Sequence, residues 1–353
     1  MCMKKSKTWL VFISLVLVII FRYFTTRPVY KDGDYIRITA AVLTEPIEYE
    51  TSQYLKLSGL KVYLPLFPEI SYGDKVIIEG VVNDNKLKSP KLISVRESKS
   101  FATQFRKNII SFYQRSFPEP YAGLTGGIVL GSKSGLTADF WQKVKIAGVA
   151  HVVVASGMNV TFVTSFLLNS LAVFLPRRKL IPFVILGIIL YLSISGFDAP
   201  LVRAAIMGGL AFSAQETGRF VSAWRALVMS ALVMLVLNPL WVSDIGFILS
   251  FVATGSILLF ERKIREKLAS VPKFLKEGLS TSLAAQIGVT PILFVTFGYF
   301  NILSPVINAL VLWTIPYIMV FAALGGIMQS KLILYLSYPF LWWFSFVVTL
   351  FSS

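Results

Sequence analysis

Residues 148–163, GVAHVVVASGMNVTFV, open a longer hydrophobic segment that has enough residues to cross a bilayer. The stretch contains the only histidine of the chain, His151, followed by Ser156, Gly157 and Asn159. Polar groups at membrane depth are costly in hydrocarbon, so they usually face a cavity or a partner helix. Small residues also let helix backbones approach closely. The stretch therefore predicts either a polar passage or close packing between helices.

The composition indicates a polytopic membrane protein. Of 353 residues, 55% are hydrophobic and 15% are charged, and the mean hydropathy is +0.70. Soluble domains carry about 25% charged residues. The net charge of +16 would suit a nucleic-acid-binding protein. However, Lys and Arg also concentrate in the cytoplasmic loops of membrane proteins, so part of this charge reflects topology. The single cysteine, Cys2, cannot form an internal disulfide.

Hydrophobic runs and basic loops together predict nine transmembrane helices in the plasma (inner) membrane. Lysines precede an apolar run at 9–21 that lacks a small-residue cleavage site, which indicates an uncleaved anchor helix with a cytoplasmic N-terminus. Alternating from that helix, the basic loops at 177–179 and 261–276 fall inside, and the C-terminus falls in the extracytoplasmic space. The other predicted spans are 149–175, 180–197, 201–216, 222–237, 244–260, 280–297, 303–326 and 332–351.

Residues 30–97 predict a small extracytoplasmic β domain. Alternating hydrophobic residues occur at 35–42, 57–64, 75–82 and 92–95, with turn residues between them. Short strands in this arrangement suit a small barrel, and an OB-type fold is the leading interpretation. Such barrels often bind single-stranded nucleic acid through basic grooves and aromatic side chains. The region holds nine Lys/Arg and ten Asp/Glu, a net charge of −1. This balance does not decide between two roles for the domain, contact with DNA and a structural lid.

Residues 98–147 are expected to lie at the membrane surface. Apolar residues between Phe101 and Phe117 share one helical face, as in an interfacial helix, and residues 121–130 predict a re-entrant or buried segment. Seven basic and two acidic residues over 99–145 leave a net charge of +5 on the outer side. This charge indicates either a lipid-headgroup patch or a phosphate-binding entrance. The basic residues are Lys99, Arg106, Lys107, Arg115, Lys133, Lys143 and Lys145.

Further polar residues lie within the spans or at their ends, where ionisable groups are candidates for function. Arg203 is expected either to contact a phosphate or to pair with Asp198 or Asp244. Gln286 and Asn308 are explained as well by hydrogen bonding between helices. The candidate pore-lining or DNA-contacting residues are His151, Ser156, Asn159, Asp198, Arg203, Asp244, Ser250, Gln286 and Asn308.

Five elements in order resemble the ComEC family of competence proteins. The family's central signature, Gly-(apolar)-x-His-(apolar)-(apolar)-x-x-Ser-Gly-(Leu/Met)-His, is similar to residues 148–159. Its upstream Leu-Gly-Asp-(Arg/Lys)-x-Gly-Leu resembles residues 130–136. Downstream, Arg-Ala-x-Ile-Met resembles residues 203–207, and Gly-Phe-x-Leu-Ser-Phe resembles residues 246–251. The last elements correspond to Ala285 and Gln286, then Pro291 and Asn308.

The resemblance implies a channel that passes single-stranded DNA across the membrane in natural transformation. It implies an N-terminal anchor (1–29), an OB-like domain (30–97), an interfacial and re-entrant region (98–147) and a competence-type channel domain (148–353). The expected partners are single-stranded DNA, the lipid bilayer, a cytoplasmic DNA-translocating ATPase and a second copy of the chain. No enzymatic activity, metal or cofactor is expected.

Two departures from the family pattern affect these expectations. Asn159 stands where the second histidine usually is, so a two-histidine metal or acid–base role is not expected. Family members often end in a metallo-β-lactamase-like domain, whose metal site one histidine cannot build, so a separate nuclease is expected.

Two other functions compete with the DNA channel. One is transport of a small solute. The other is an intramembrane enzyme that uses His151 with Ser156. Five residues along one continuous helix place these side chains about 140° apart, which disfavours the enzyme.

Overall fold

The protein is described by a computed structural model that covers residues 2–26, 30–48, 51–154, 156–174, 176–216, 222–298 and 301–352. A long N-terminal helix precedes one β-sheet domain, and a bundle of helices follows it. The strands are β1 (Tyr35–Ala41), β2 (Ile47–Glu48), β3 (Ser52–Leu57), β4 (Leu60–Pro65), β5 (Lys75–Asn83) and β6 (Lys86–Arg96). The helices are α1 (Cys2–Thr26), α2 (Phe101–Ser116), α3 (Tyr121–Leu130), α4 (Ala138–Ile146), α5 (Ala150–Val153), α6 (Gly157–Leu171), α7 (Arg177–Ser195), α8 (Ala199–Glu216), α9 (Ala223–Leu237), α10 (Ile245–Lys267), α11 (Lys273–Phe297), α12 (Ser304–Val311), α13 (Ile315–Met328), α14 (Lys331–Tyr335) and α15 (Tyr338–Leu350), with short 3₁₀ helices at Pro239–Ser243 and Leu312–Thr314.

The six strands form one sheet in the order β1-β5-β6-β4-β3-β2. All neighbours are antiparallel except β4 and β6, which run parallel. Hydrophobic residues alternate along the strands, so one set of side chains forms a core while the other set faces outward. Leu55, Val62, Val76 and Ile78 are all at most 1% exposed in that core.

The predicted strand over 57–64 is wrong, because a turn divides it. Ser58 and Gly59 have φ angles of 48° and 86°, which are the left-handed values that a tight hairpin turn requires. The turn joins β3 to β4 and leaves Leu57 opposite Leu60. The apolar alternation continues on both sides of the turn, which is why the pattern alone suggested a single strand.

Helix α3 is buried within the bundle, and α2 packs one face against it. Ile109, Phe112 and Tyr113 are buried, and the Tyr113 hydroxyl donates a hydrogen bond to the Ala322 carbonyl at 2.8 Å. Nine of the ten residues of α3 are buried, in agreement with the prediction of a buried segment at 121–130. Most of the apolar face predicted to lie on a membrane surface therefore packs against other helices, whereas Phe101 at its start is 78% exposed.

Four helices in the described part of the chain are long and apolar enough to cross a membrane, and shorter apolar helices accompany them. Few residues of α10 and α11 are buried: 17% and 11% of their most apolar windows. Apolar helices with so little protein around them are suited to contact with lipid. The structure thus shows a mostly helical protein with four candidate spans, and the count of nine stays a prediction. The four are Ile245–Lys267, Leu275–Thr296, Ser304–Met328 and Lys331–Leu350.

Candidate functional site

The segment that carries His151, Ser156 and Asn159 is not one helix. Helix α5 ends at Val153, the backbone is extended at Val154 (φ −89°, ψ 143°) and Ser156 (φ −121°, ψ 167°), and α6 begins after it. Serine favours the position before a helix, where its own backbone is extended. The prediction of a continuous span over 149–175 is therefore wrong. The angle of 140° between the His151 and Ser156 side chains no longer applies either.

Gly148 holds the start of this broken segment against α12. Its φ of +74° is a left-handed value, and a Cβ atom there would lie 2.5 Å from the Ser304 hydroxyl oxygen. That hydroxyl donates to the Gly148 carbonyl at 3.2 Å. His151 follows in α5 with an exposed side chain, so it is available to line a surface.

Asn159 is fully buried and hydrogen bonded within the protein. Its side-chain amide donates to the Ile128 carbonyl of α3 at 2.8 Å, and its side-chain oxygen lies 3.1 Å from the Ser156 hydroxyl. Asn159 therefore joins α6 to α3 and does not face a passage in this conformation. Ser156 is half-buried, and because its hydroxyl is engaged with Asn159 it does not cap α6.

Arg203 projects from α8 between α6 and α10. Its guanidinium donates to the Ser250 carbonyl and to the Thr254 hydroxyl, and it lies 5.9 Å from the centre of the Phe251 ring. Gly157 allows this approach, because a Cβ atom there would lie 3.1 Å from Arg203 Nη2. The predicted pairing of Arg203 with a carboxylate does not occur among the ion pairs of the described residues.

The two carboxylates expected near Arg203 have other roles. Asp244 caps α10 by accepting a hydrogen bond from the Phe247 amide at 3.0 Å, and it lies 3.9 Å from Lys56 Nζ of β3. Asp198 lies in the loop before α8. Burial raises the pKa of its carboxyl group and Asp244 adds to the rise, while Lys133 opposes it. Ser250 is 9% exposed, and its hydroxyl has no hydrogen-bond partner within the described protein.

Gln286 and Asn308 belong to a polar chain that joins α11, α12 and the end of α4. The Gln286 amide donates to the Asn301 carbonyl at 2.9 Å, and the Asn301 amide donates to the Ile146 carbonyl at 2.8 Å. Asn308 donates to the hydroxyls of Ser282 and Ser304 at 2.9 and 3.3 Å. These contacts agree with hydrogen bonding between helices, which was one of the two roles expected for both residues.

Arg106 is a buried junction residue, and its expected place at a phosphate entrance is wrong. Its side chain is 3% exposed and forms an ion pair of 2.7 Å with Glu45 of the β domain. It also donates to the carbonyls of Leu130 and Ile194, at 2.6 and 2.8 Å, near the ends of α3 and α7. A second Glu45 oxygen accepts from the Ser132 hydroxyl at 2.6 Å. Arg106 thus joins the β domain to the ends of α3 and α7.

The other predicted entrance residues are engaged to different degrees. Lys107 lies 3.5 Å from Asp74, and Lys143 lies 2.7 Å from Asp139. Lys133 lies 5.7 Å from the centre of the Trp141 ring. The remaining three form no ion pair with a described residue, and they are Lys99, Arg115 and Lys145.

Sequence reasoning missed Glu45, Asn301 and Ser304. Glu45 lies between two predicted strands, and its partner Arg106 is 61 positions away. No periodicity links such residues, so only a three-dimensional structure reveals the contact. Asn301 and Ser304 precede α12, and a search for polar residues before a proline would have drawn attention to Ser304, which is followed by Pro305.

Comparison with known proteins now assigns the family. Residues 128–353, which include α5, α6, Arg203 and the polar chain, match the family model described as Competence protein. The chain belongs to the Competence protein family. The ComEC resemblance of the sequence is thereby confirmed.

Two curated proteins are similar to this competence family member. "ComE operon protein 3" of Bacillus subtilis (strain 168) is 26% identical over 245 residues, which is 69% of this chain and 31% of the relative. "Competence protein ComA" of Neisseria gonorrhoeae is 26% identical over 200 residues, 53% of this chain and 28% of the relative. The chain thus matches less than a third of the length of either relative. No solved structure matches it.

Proposed function

We propose that this protein is a plasma-membrane channel subunit that passes single-stranded DNA into the cytoplasm during competence. The observation that carries the proposal is the position of Arg203 beside the first turn of α6. The amide groups of a helix's first turn have no partners within the helix, and they attract anions. At α6 no side chain caps them, and Gly157 brings the Arg203 guanidinium to them. A phosphate group is the anion that a DNA strand would present there.

The electrostatics around Arg203 support the same role. Its Nε is buried without a hydrogen-bond partner among the described atoms, and no described carboxylate pairs with the guanidinium. An uncompensated guanidinium at membrane depth is costly and is retained where it has a function. His151 is exposed on the same broken segment and would add a hydrogen-bonding group to the wall of the passage.

We propose nine spans for the complete chain. Besides the four long helices, the apolar helices α1, α6, α7, α8 and α9 would each cross the membrane. Helix α6 has 15 residues, about 22 Å of helix, so the bilayer would be thin near the break. The cytoplasmic N-terminus, the extracytoplasmic C-terminus and the location of the β domain outside follow from the basic loops.

We propose an OB-type barrel for the β domain. Such a barrel is a five-stranded, partly open Greek-key structure. The five longer strands occur in the order β1-β5-β6-β4-β3, and the pairs β1–β5 and β4–β6 join strands that are not consecutive in the chain, as a Greek-key arrangement requires.

The remaining parts of the proposal concern chemistry and partners. The chain would conduct DNA without acting as an enzyme, while a separate nuclease would degrade the other strand. A cytoplasmic ATPase would draw the strand inward, and a second copy of the chain could complete the passage. These parts rest on the resemblance of the sequence to the ComEC family, and each needs its own experiment.

Transformation of a strain that carries variants of this chain tests the channel. Arg203→Gln should abolish the conversion of bound DNA to a DNase-resistant form, whereas Arg203→Lys should retain part of it, because the charge persists. Arg262→Gln, which removes an exposed ion pair with Glu266, serves as the control and should leave uptake unchanged. A deletion strain that transforms as well as its parent would refute the proposed function.

A further inference from the structure

The fold sorts the charges of the β domain, although its total charge is close to zero. Residues 30–97 hold nine basic and ten acidic residues. Alternate residues of β3 and β4 point to the hydrophobic core, including Leu55, Leu57, Leu60 and Val62. The residues between them must point outward on the same side of the sheet. This side carries a concentration of lysine and tyrosine.

Strand register places these outward residues beside one another. Tyr54 lies opposite Tyr63, and Lys56 lies opposite Lys61. Across the parallel β4–β6 pair, Lys61 lies beside Lys86. The centres of the two tyrosine rings are 5.2 Å apart with their planes tilted by 48°, and Tyr63 is 43% exposed. We call this surface the Tyr–Lys face, and it consists of Tyr54, Lys56, Lys61, Tyr63, Lys86 and Lys88.

Several carboxylates of the domain are engaged away from this face. Glu45 is held by Arg106 at the junction with the bundle, and Asp74 accepts hydrogen bonds from backbone amides next to α2. Glu79 of β5 pairs with Arg37 and accepts a hydrogen bond from Tyr35, both on β1. Asp84 lies in the turn before Lys86, where its amide donates to Asp32, and Asp244 lies 3.9 Å from Lys56.

We propose that the Tyr–Lys face binds single-stranded DNA before the strand enters the bundle. This inference rests on the proposed function. Aromatic rings provide stacking surfaces for bases of any sequence, and neighbouring cations bind the phosphates. Residues two apart on a strand are separated by about 6.6 Å, a distance comparable to one extended nucleotide. Lys56 connects the face to Asp244, which caps α10, and Arg203 donates to Ser250 and Thr254 of the same helix.

Binding by the full chain in nanodiscs of zwitterionic lipid tests this face. The probe is a fluorescein-labelled oligothymidylate, followed by fluorescence anisotropy at several salt concentrations. Tyr54→Ala with Tyr63→Ala should weaken binding by about tenfold or more, because base stacking is lost. Tyr54→Phe with Tyr63→Phe should bind like the original chain, which separates stacking from any loss of folding.

The lysine variants should change the salt dependence of DNA binding. Each phosphate contact to a single strand contributes about 0.7 to the slope of log affinity against log salt concentration. Lys61→Gln with Lys86→Gln should therefore reduce that slope by about 1.4. The matched control is Tyr35→Ala with Lys75→Gln, which changes the same residue types on β1 and β5 and should leave both affinity and slope unchanged.

Three results would overturn the proposal. The first is that the alanine variant of the two tyrosines and the glutamine variant of the two lysines both keep the DNA affinity and the salt slope of the original chain. The second is an abasic oligonucleotide that responds to the tyrosine changes as strongly as oligothymidylate does. The third is that the same variants lose binding to vesicles containing anionic lipid while DNA binding is unchanged, which would make the face a membrane contact.

The same variants separate this inference from the function on which it rests. If deletion of the chain abolishes transformation but Tyr54→Ala with Tyr63→Ala binds DNA normally, the Tyr–Lys face fails and the channel stands. If the deletion strain transforms normally, the proposed function fails whatever the face binds.

Discussion

Arg106→Met should be among the most damaging single substitutions in this protein. The guanidinium is 3% exposed and forms an ion pair with Glu45 and two hydrogen bonds to the carbonyls of Leu130 and Ile194. Removing one partner of a buried pair leaves the other charge without compensation, which costs about 3–5 kcal/mol. We therefore expect the free energy of unfolding to fall by that amount.

The measurement is unfolding of the purified protein by SDS in mixed micelles, followed by fluorescence of its seven tryptophans. Arg37→Met is the matched control, because the Arg37–Glu79 pair has side chains 58% and 20% exposed and lies in the same β domain as Glu45. An exposed pair contributes at most about 1 kcal/mol.

A double-mutant cycle tests whether the loss of stability comes from the unpaired carboxylate of Glu45. Glu45→Gln alone should also be strongly destabilising, but added to Arg106→Met it should cost little more, because the uncompensated carboxylate is then removed. The reasoning is refuted if Arg106→Met costs no more than Arg37→Met. Additive losses in the double variant would show that Arg106 acts only through the two carbonyls.

Three further predictions concern the broken segment and the loop before α8. Gly148→Ala should destabilise the protein more than Gly33→Ala, because both have positive φ but only the first places Cβ 2.5 Å from Ser304; equal losses in thermal unfolding would contradict this. Asn159→Leu should cost about 1–3 kcal/mol by leaving the Ile128 carbonyl without its partner, whereas Asn169→Leu, exposed on the same helix, should cost little in the same assay. Burial raises the pKa of Asp198 in the folded protein. The contribution of this group to the free energy of unfolding is therefore greatest below the ordinary carboxyl pKa of about 3.9, and it declines as the pH rises through the raised pKa of the folded protein. Asp198→Asn should remove this decline and be the more stable protein at neutral pH; unfolding curves that keep the same pH dependence would exclude Asp198 as the group.

Local patterns account for the class of the protein and for much of its secondary structure. A composition with 15% charged residues requires most of the surface to be apolar, and only lipid accepts such a surface. Alternation located β1 and β5, and Thr137 caps α4 as its position before an amphipathic run predicts. These features depend on residues close together in the chain, so the sequence contains them.

Contacts between residues that are distant in the chain determine how the side chains of the candidate functional site are arranged. The break at Val154 lies in an apolar run that reads as one helix, and it is stabilised by packing of α3 and α12 rather than by a proline. Asn159 lies in the core, and not in a passage as predicted, because its amide donates to the Ile128 carbonyl, 31 positions away. The Tyr–Lys face exists only because strand register brings Lys61 beside Lys86, while a count of charges along residues 30–97 gives nearly zero. Sequence patterns determine which side chains face outward on each element, but pairing between elements determines which of them lie together, because that pairing is set by the packing of the whole chain.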